Sequence, residues 1–129
     1  MKAITRLRWM LLLGLLFGAF AFAAPMTEQQ KIDALIHSVE SAPGMQFIRN
    51  GTSYDGKAAA DHLRLKLRNS FGRIKTADDF ITRIASGSSM SGKPYQIRYA
   101  NGTTTDAAVY FHEELRRIEA QPAEASTRQ

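Results

Sequence analysis

The sequence predicts an α+β domain in which about four helices pack on a small, antiparallel sheet of two to four strands. Four segments space their apolar residues three and four apart, as amphipathic helices do. Two short strand-like runs, residues 45–49 and 95–99, each lead into Asn-Gly, the strongest short turn signal. The chain contains no cysteine, so the domain is expected to be stable without disulfides.

The first 23 residues have the features of a secretory signal peptide. The positively charged part comes first and contains Lys2, Arg6 and Arg8. An apolar run from Trp9 to Phe20 follows, and Ala21-Phe22-Ala23 supplies a small-x-small cleavage site. The apolar run is shorter than the roughly 20 residues that span a membrane. We therefore expect Sec-type export to the periplasm, cleavage before Ala24 and no stable membrane span afterwards.

Cleavage at this point predicts three parts: a signal peptide at 1–23, a single domain at 24–119 and a flexible tail at 120–129. Without the three cations of the signal segment, the 17 basic side chains fall to 14, against 12 acidic ones. This near balance argues against a nucleic acid as the partner. No aromatic residues alternate with the cations, as a base-stacking surface requires.

Capping residues mark the starts of three of the four predicted helices. The caps are Thr27 with Gln30, Asp55, and Thr76 with Asp79. The helical segments cover residues 27–41, 55–72, 75–87 and 105–120, and Gly72 is the expected stop of the second.

Two parts of the chain resemble each other, residues 48–68 and 97–117. Each consists of a strand, an Asn-Gly turn, a link containing threonine, and a helix that ends in cations. The pattern predicts two similar supersecondary units.

The loop at 86–95, SGSSMSGKPY, is the first candidate site. Gly87, Gly92 and Lys93 have the spacing of a nucleotide-binding P-loop, but a strand would have to precede it and a helix follow it. Here the order is reversed, and Pro94 occupies the position of the hydroxyl residue. Two interpretations stay open: an anion-binding nest of backbone amides, or a structural connection between a helix and a strand. The candidate binding residues are Ser88, Ser89, Ser91, Gly92, Lys93 and Tyr95.

The second candidate site is a basic segment, residues 62–75, which contains five cations and no acid. Such a segment is typical either of a solvated helix face or of a surface for an anionic polymer or lipid. The residues expected to contact an anionic surface are Arg64, Arg68, Arg73 and Lys75.

The motifs of several enzyme classes are incomplete in this chain. No G-x-S-x-G elbow is present, and Met90 stands three residues before Lys93, where an S-x-x-K motif needs serine. HEELR at 112–116 has Arg116 where a zinc helix needs its second histidine. The remaining question is whether His37, His62 and His112 converge. We therefore expect no catalytic activity, no metal and no cofactor.

Four segments in order, FIRNG, HLRLKLRN, RIKTADDFITRIAS and SSMSGKPY, resemble the YfeK-like family of small exported bacterial proteins, a domain of unknown function. The resemblance covers residues 26–119. It implies a periplasmic location and a compact α+β fold, and it assigns no activity and no catalytic residue.

A narrower similarity involves Ser91-Gly92-Lys93-Pro94-Tyr95, which fits the S-G-x-x-Y motif of periplasmic lysozyme inhibitors. Three functional hypotheses follow. The first is a non-catalytic interaction module that presents the loop at 86–95 to an unknown periplasmic protein or envelope polymer. The alternatives are a lysozyme-inhibitor-like protein using this motif, and a binder of anionic envelope polymer or lipid through residues 62–75.

Overall fold

The computed structural model describes residues 24–121. The predicted signal peptide at 1–23 and the predicted tail beyond residue 121 lie outside the described residues. The elements are α1 (Glu28–Ser41), β1 (Gln46–Arg49), β2 (Thr52–Asp55), α2 (Gly56–Arg68), α3 (Ala77–Phe80), β3 (Gln96–Arg98), β4 (Thr104–Asp106) and α4 (Ala107–Ala120). Helix α3 continues directly into a π-helical segment, Ile81–Ala85.

The four strands form one sheet in the order β2-β1-β3-β4, with every neighbouring pair antiparallel. The α+β prediction is therefore confirmed. The two central strands are those that the sequence indicated. The edge strands β2 and β4 lie in the two threonine-containing links. They were not predicted as strands, because their short polar sequences have no alternating apolar pattern.

The predicted internal similarity corresponds to two copies of one unit. Each copy has a helix, a β-hairpin and a second helix, as α1-β1-β2-α2 and as α3-β3-β4-α4. In both hairpins the last residue of the second strand, Asp55 or Asp106, is also the N-cap of the helix that follows. The two copies meet where β1 pairs with β3, with Phe47 opposite Ile97.

The local start signals of the helices are confirmed, whereas two helix boundaries differ from the prediction. Capping boxes are formed at α1 and α3, and the Asp55 carboxylate accepts a hydrogen bond of 2.8 Å from the amide of Ala58. Helix α2 ends at Arg68 rather than near Gly72, because Phe71 and Gly72 both have left-handed backbone, with φ of 51° and 75°. Helix α4 begins later than expected because residues 104–106 pair with β3.

One face of the sheet is covered by helices. Successive side chains of a strand alternate between faces, and in β1 and β3 the buried residues are Phe47 and Ile97, while Gln46 and Gln96 are exposed. The largest fully buried side chains of the helices are Ile32, Leu35, Ile36, Val39, Leu63, Phe80, Ile81 and Phe111. By the same alternation, Arg49 belongs to the face of β1 that Phe47 occupies.

Helices α1 and α2 approach closely at Gly56. A Cβ atom on this residue would lie 2.3 Å from the carbonyl oxygen of Val39, near the end of α1. The absence of a side chain therefore fixes how near the start of α2 comes to α1. Within residues 24–121, no helix is both long and apolar enough to cross a membrane.

Candidate functional site

A cleft of about 590 Å³ lies between α2, the π-helical segment, the end of β1 and the loop at 86–95. Its lining is strongly basic and includes Arg49, His62, Lys66, Arg73 and Arg83. Asn50, Asn69 and three serines add polar groups, and no carboxylate lines the cleft. A cavity with cations and no acid carries positive potential, because the low-dielectric walls concentrate the field.

Helix α2 supplies one side of the cleft. His62 and Lys66 line it, and their spacing of four places them on one helical face. Asn69 and Ser70, which follow the last residue of α2, also line the cleft. Arg64 and Arg68 lie on another face and do not line the cleft.

The predicted basic segment is thus divided between different surfaces. Arg64 forms two hydrogen bonds to Glu40, at 2.8 and 3.3 Å, and this contact lowers the pKa of the Glu40 carboxyl. Of the four predicted contact residues only Arg73 lines the cleft, while Arg68 and Lys75 are exposed outside it.

The ammonium group of Lys66 lies at the centre of the site. It donates to the carbonyl oxygens of Ile84 and Gly87, at 2.7 and 3.0 Å, and to the hydroxyl of Tyr95 at 3.1 Å. Burial is the main cause that lowers the pKa of Lys66, and the Arg49 charge adds to it. Within residues 24–121, Lys66 has no salt-bridge partner. Its charge therefore fixes the start of the loop and contributes to the potential of the cleft.

Arg49 and His62 form the wall of the cleft nearest the sheet. The Nη1 atom of Arg49 lies 2.9 Å from both ring nitrogens of His62, and the His62 Nε2 atom lies 3.5 Å from the Tyr95 hydroxyl. Burial, followed by the charges of Arg49 and Lys66, lowers the pKa of His62. The lowered pKa favours the neutral imidazole, to which the guanidinium can donate.

The loop at 86–95 is closed by its own backbone. Gly87 and Pro94 form an isolated β-bridge, and the amide of Ser88 bonds to the carbonyl of Lys93 at 3.0 Å. The Ser88 hydroxyl accepts from the amides of Met90 and Ser91, at 3.3 and 3.2 Å. The amides of Met90, Ser91, Gly92 and Lys93 are thus already bonded inside the loop, which leaves few amides for an anion-binding nest.

A side-chain hydrogen bond connects the loop to the first hairpin. The Ser91 hydroxyl donates to the Asn50 side-chain oxygen at 2.7 Å. Asn50 is in the β1–β2 turn and has a left-handed φ of 50°, a conformation that asparagine tolerates better than most residues. The bond holds the loop against the mouth of the cleft.

The predicted loop residues occupy two different settings. Ser88, Ser89 and Tyr95 line the cleft, whereas Ser91, Gly92 and Lys93 are exposed on the loop outside its lining. The side chain of Tyr95 is 2% exposed and its ring packs against Phe47 at 5.0 Å, so only the hydroxyl end is near the cleft.

Sequence reasoning missed Arg49, His62, Lys66 and Arg83 as members of one site. A signal for two of them was present, because His62 and Lys66 are four residues apart in a predicted helix. The signal for Arg49 was its position two residues after Phe47 in a predicted strand. What joins these positions is the long-range packing of β1 and α2 with the loop.

The three histidines do not meet in a metal site. They are on α1, α2 and α4, and His112 lies 3.7 Å from Asp78. In the part of the chain that the structure describes, no group of three His, Cys, Asp or Glu side chains is placed to hold a metal ion.

Comparison with known proteins identifies relatives without a known activity. A model of a family of unknown function, DUF5329, matches residues 26–119. A curated relative, the uncharacterized protein YfeK of Salmonella typhimurium (strain LT2), is 43% identical over 68 residues, which cover 53% of this chain and 57% of the relative. The chain thus spans little more than half the length of that relative. No solved structure matches.

These matches confirm the predicted resemblance to YfeK-like proteins. The similarity of residues 91–95 to lysozyme inhibitors gains no support from them and stays a prediction.

Proposed function

This chain belongs to the DUF5329 family of unknown function, and we propose that it is a non-catalytic binding module that holds an anionic ligand in the basic cleft. One observation carries the proposal: basic side chains from β1, α2, the turn after α2 and the π-helical segment surround a single cavity whose lining contains no carboxylate. The site combines the two surfaces that the sequence analysis treated separately, the serine-rich loop and part of the basic segment.

The cleft offers hydrogen-bond donors as well as charge. Arg83, Asn69 and Ser89 line it, and their side chains form no hydrogen bond to any residue in the described range 24–121. Arg73 uses only its Nε atom, at 3.1 Å from the Ser70 carbonyl, so its two terminal nitrogens are available. A guanidinium group can bind a carboxylate or phosphate through two parallel hydrogen bonds.

The hydrogen bonds of Lys66 suit a pre-formed site. Its three donors are fully used by protein oxygens, so it contributes charge to a ligand rather than a direct hydrogen bond. A cation held in place before binding adds attraction without the entropy cost of ordering a long side chain. The volume of about 590 Å³ lies within the range of small-molecule sites.

Binding without turnover fits the chemistry of the lining. A serine nucleophile needs a neighbouring base, and Ser89 has no hydrogen-bonded base among the described residues. The hydroxyl of Ser88 is occupied as the acceptor of two loop amides.

The proposed setting is the periplasm, where the ligand would be a small anion or an anionic group of an envelope polymer. This part of the proposal depends on the signal-like segment at residues 1–23. Fractionation of expressing cells tests it: we expect the protein in the periplasmic fraction with Ala24 as its first residue. Full-length protein in the cytoplasm would contradict it.

A titration with inorganic phosphate, followed by two-dimensional NMR of the domain, tests the ligand class. We expect shifts at amides around the cleft, and an affinity that decreases as salt increases because the attraction is electrostatic. Arg83→Glu should weaken binding about tenfold or more. Arg68→Glu is the matched control, since Arg68 is exposed but does not line the cleft, and it should change the affinity less than about twofold.

Equal losses in the two variants would indicate general charge attraction and contradict a defined site. Absence of binding by the folded wild-type domain would also contradict the proposal.

A further inference from the structure

A second, smaller cavity adjoins the basic cleft. It measures about 140 Å³ and is lined by Phe47, Arg49, Tyr54, Ala58, Ala59 and His62. Arg49 and His62 line both cavities, so this pair of side chains lies at the boundary between them. Apart from them the small cavity is formed by two aromatic residues and two alanines. We call it the apolar niche.

Arg49 is held on both sides at the boundary. Its guanidinium lies 5.4 Å from the centroid of the Tyr54 ring, within the range of a cation–π contact. Its Nη1 atom contacts His62 at 2.9 Å. Arginine has five N–H donors, and Nη1 is the atom of this side chain that forms hydrogen bonds within residues 24–121. The other nitrogens can bind a group that sits where the cleft and the niche meet.

We propose that the ligand is an amphipathic anion: a phosphate group in the basic cleft, attached to one compact aromatic or branched apolar group in the apolar niche. This inference rests on the proposed function, because it names the chemical class of ligand for the same site. Arg49 binds the junction between the two parts, where a phosphate oxygen is close to the apolar group.

The size of the niche limits the apolar group. An apolar cavity of about 150 Å³ can hold a benzene molecule, and the niche is about as large at 140 Å³. It therefore accepts a single six-membered ring or a branched group of similar volume, and it excludes a long acyl chain or a fused ring system.

Two phosphate monoesters that differ only in the apolar group test the inference. Methyl phosphate and phenyl phosphate are titrated separately into the domain by calorimetry. We expect phenyl phosphate to bind about tenfold or more tightly, because its ring leaves water when it enters the niche. NMR shifts should extend to the amides of Tyr54 and Ala58 only with phenyl phosphate.

A variant that fills the niche provides the control. Ala58 is exposed at the start of α2 and lines the niche, so Ala58→Leu places a larger apolar side chain there without replacing a core residue. It should remove the preference for phenyl phosphate and leave methyl phosphate affinity unchanged. Ala58→Ser, which adds little volume, should keep the preference.

The outcomes separate this inference from the proposed function. If both esters bind the wild-type domain with equal affinity, the cleft binds anions and the niche is not used, so only the inference is overturned. A preference for phenyl phosphate that survives Ala58→Leu likewise overturns it. If neither ester binds to the folded domain, the proposed function fails as well.

Discussion

Replacement of Lys66 by methionine is the most direct test of how the site is built. Methionine keeps an unbranched apolar stem of similar length but has no ammonium group. The substitution removes the hydrogen bonds to the carbonyls of Ile84 and Gly87 and to the hydroxyl of Tyr95. Two of these bonds connect the last turn of α2 to the start of the loop at 86–95, and the third connects it to Tyr95 at the end of that loop.

The expected loss can be worked out from those contacts. A hydrogen bond contributes about 1 kcal/mol net, and more when one partner is charged. Three such bonds give roughly 3 kcal/mol. An opposing effect reduces this value, because Lys66 is half-buried near Arg49 and its ammonium is desolvated and repelled. We expect Lys66→Met to lower the free energy of unfolding by about 2 kcal/mol.

Urea unfolding of the domain at pH 7, monitored by circular dichroism, measures this change. The midpoint should fall while the slope stays the same, since the surface exposed on unfolding is similar. Lys57→Met is the control: Lys57 is 77% exposed and pairs with Asp61 on the same helix, so we expect the urea midpoint to stay essentially unchanged.

A stabilised or unchanged Lys66→Met domain would refute the reasoning. It would mean that the desolvation and repulsion of the ammonium outweigh its three hydrogen bonds.

Three further predictions concern stability. Gly56→Ala should destabilise the domain by about 2 kcal/mol or more, because the new Cβ would lie 2.3 Å from the Val39 carbonyl oxygen. Thermal unfolding measures this loss. Helix propensity alone predicts a more stable variant, and that result would contradict the steric argument. The folded-state pKa of His62 is lowered from 6.5 by burial and by neighbouring cations, so the unfolded chain binds the proton more readily and stability should fall as pH decreases below about 6.5. His62→Gln should make the free energy of unfolding less dependent on pH, which urea unfolding at several pH values measures. An unchanged pH dependence would show that other groups cause it. Phe71→Gly should raise the free energy of unfolding by up to about 1 kcal/mol, since Phe71 has φ of 51° and is 83% exposed. Urea unfolding measures this, and a lower free energy of unfolding would show that the ring makes a stabilising contact.

The parts of the fold that sequence reasoning found are those controlled by neighbouring residues. The capping boxes at Thr27 and Thr76 bond to amides three residues away, so their chemistry is visible in a short segment. The edge strands β2 and β4 were not identified as strands, because they become strands only through pairing with β1 and β3. Pairing of this kind depends on contacts rather than on local propensity.

Only separate parts of the candidate site were predicted from the sequence, for the same reason. The loop at 86–95 was recognised from its glycines and serines, but the group that holds it is the Lys66 ammonium, 18 to 29 residues distant in sequence from its acceptors. The basic segment was recognised from composition, which does not show that Arg64 and Lys66 belong to different faces of α2. Helical periodicity could have separated these two residues, whereas the position of Arg83 across the cleft required the tertiary structure.

The two copies of the hairpin–helix unit differ at positions that carry the charges of the cleft. When the N-caps Asp55 and Asp106 are aligned, the position of His62 in α2 corresponds to Glu113 in α4. When the paired residues Phe47 and Ile97 are aligned, the position of Arg49 corresponds to Tyr99.

The second copy therefore forms the same hairpin and helix with an acid and an aromatic residue at these two positions. Its counterpart of Lys66, Arg117, is paired with Glu114 on the same helix. The second copy thus forms this unit without a cation at the position of Arg49, whereas in the first copy Arg49 contacts Tyr54 and His62. The proposed anion would give the charge of Arg49 a role beyond these contacts, which is the physical reason for testing this face of the molecule first.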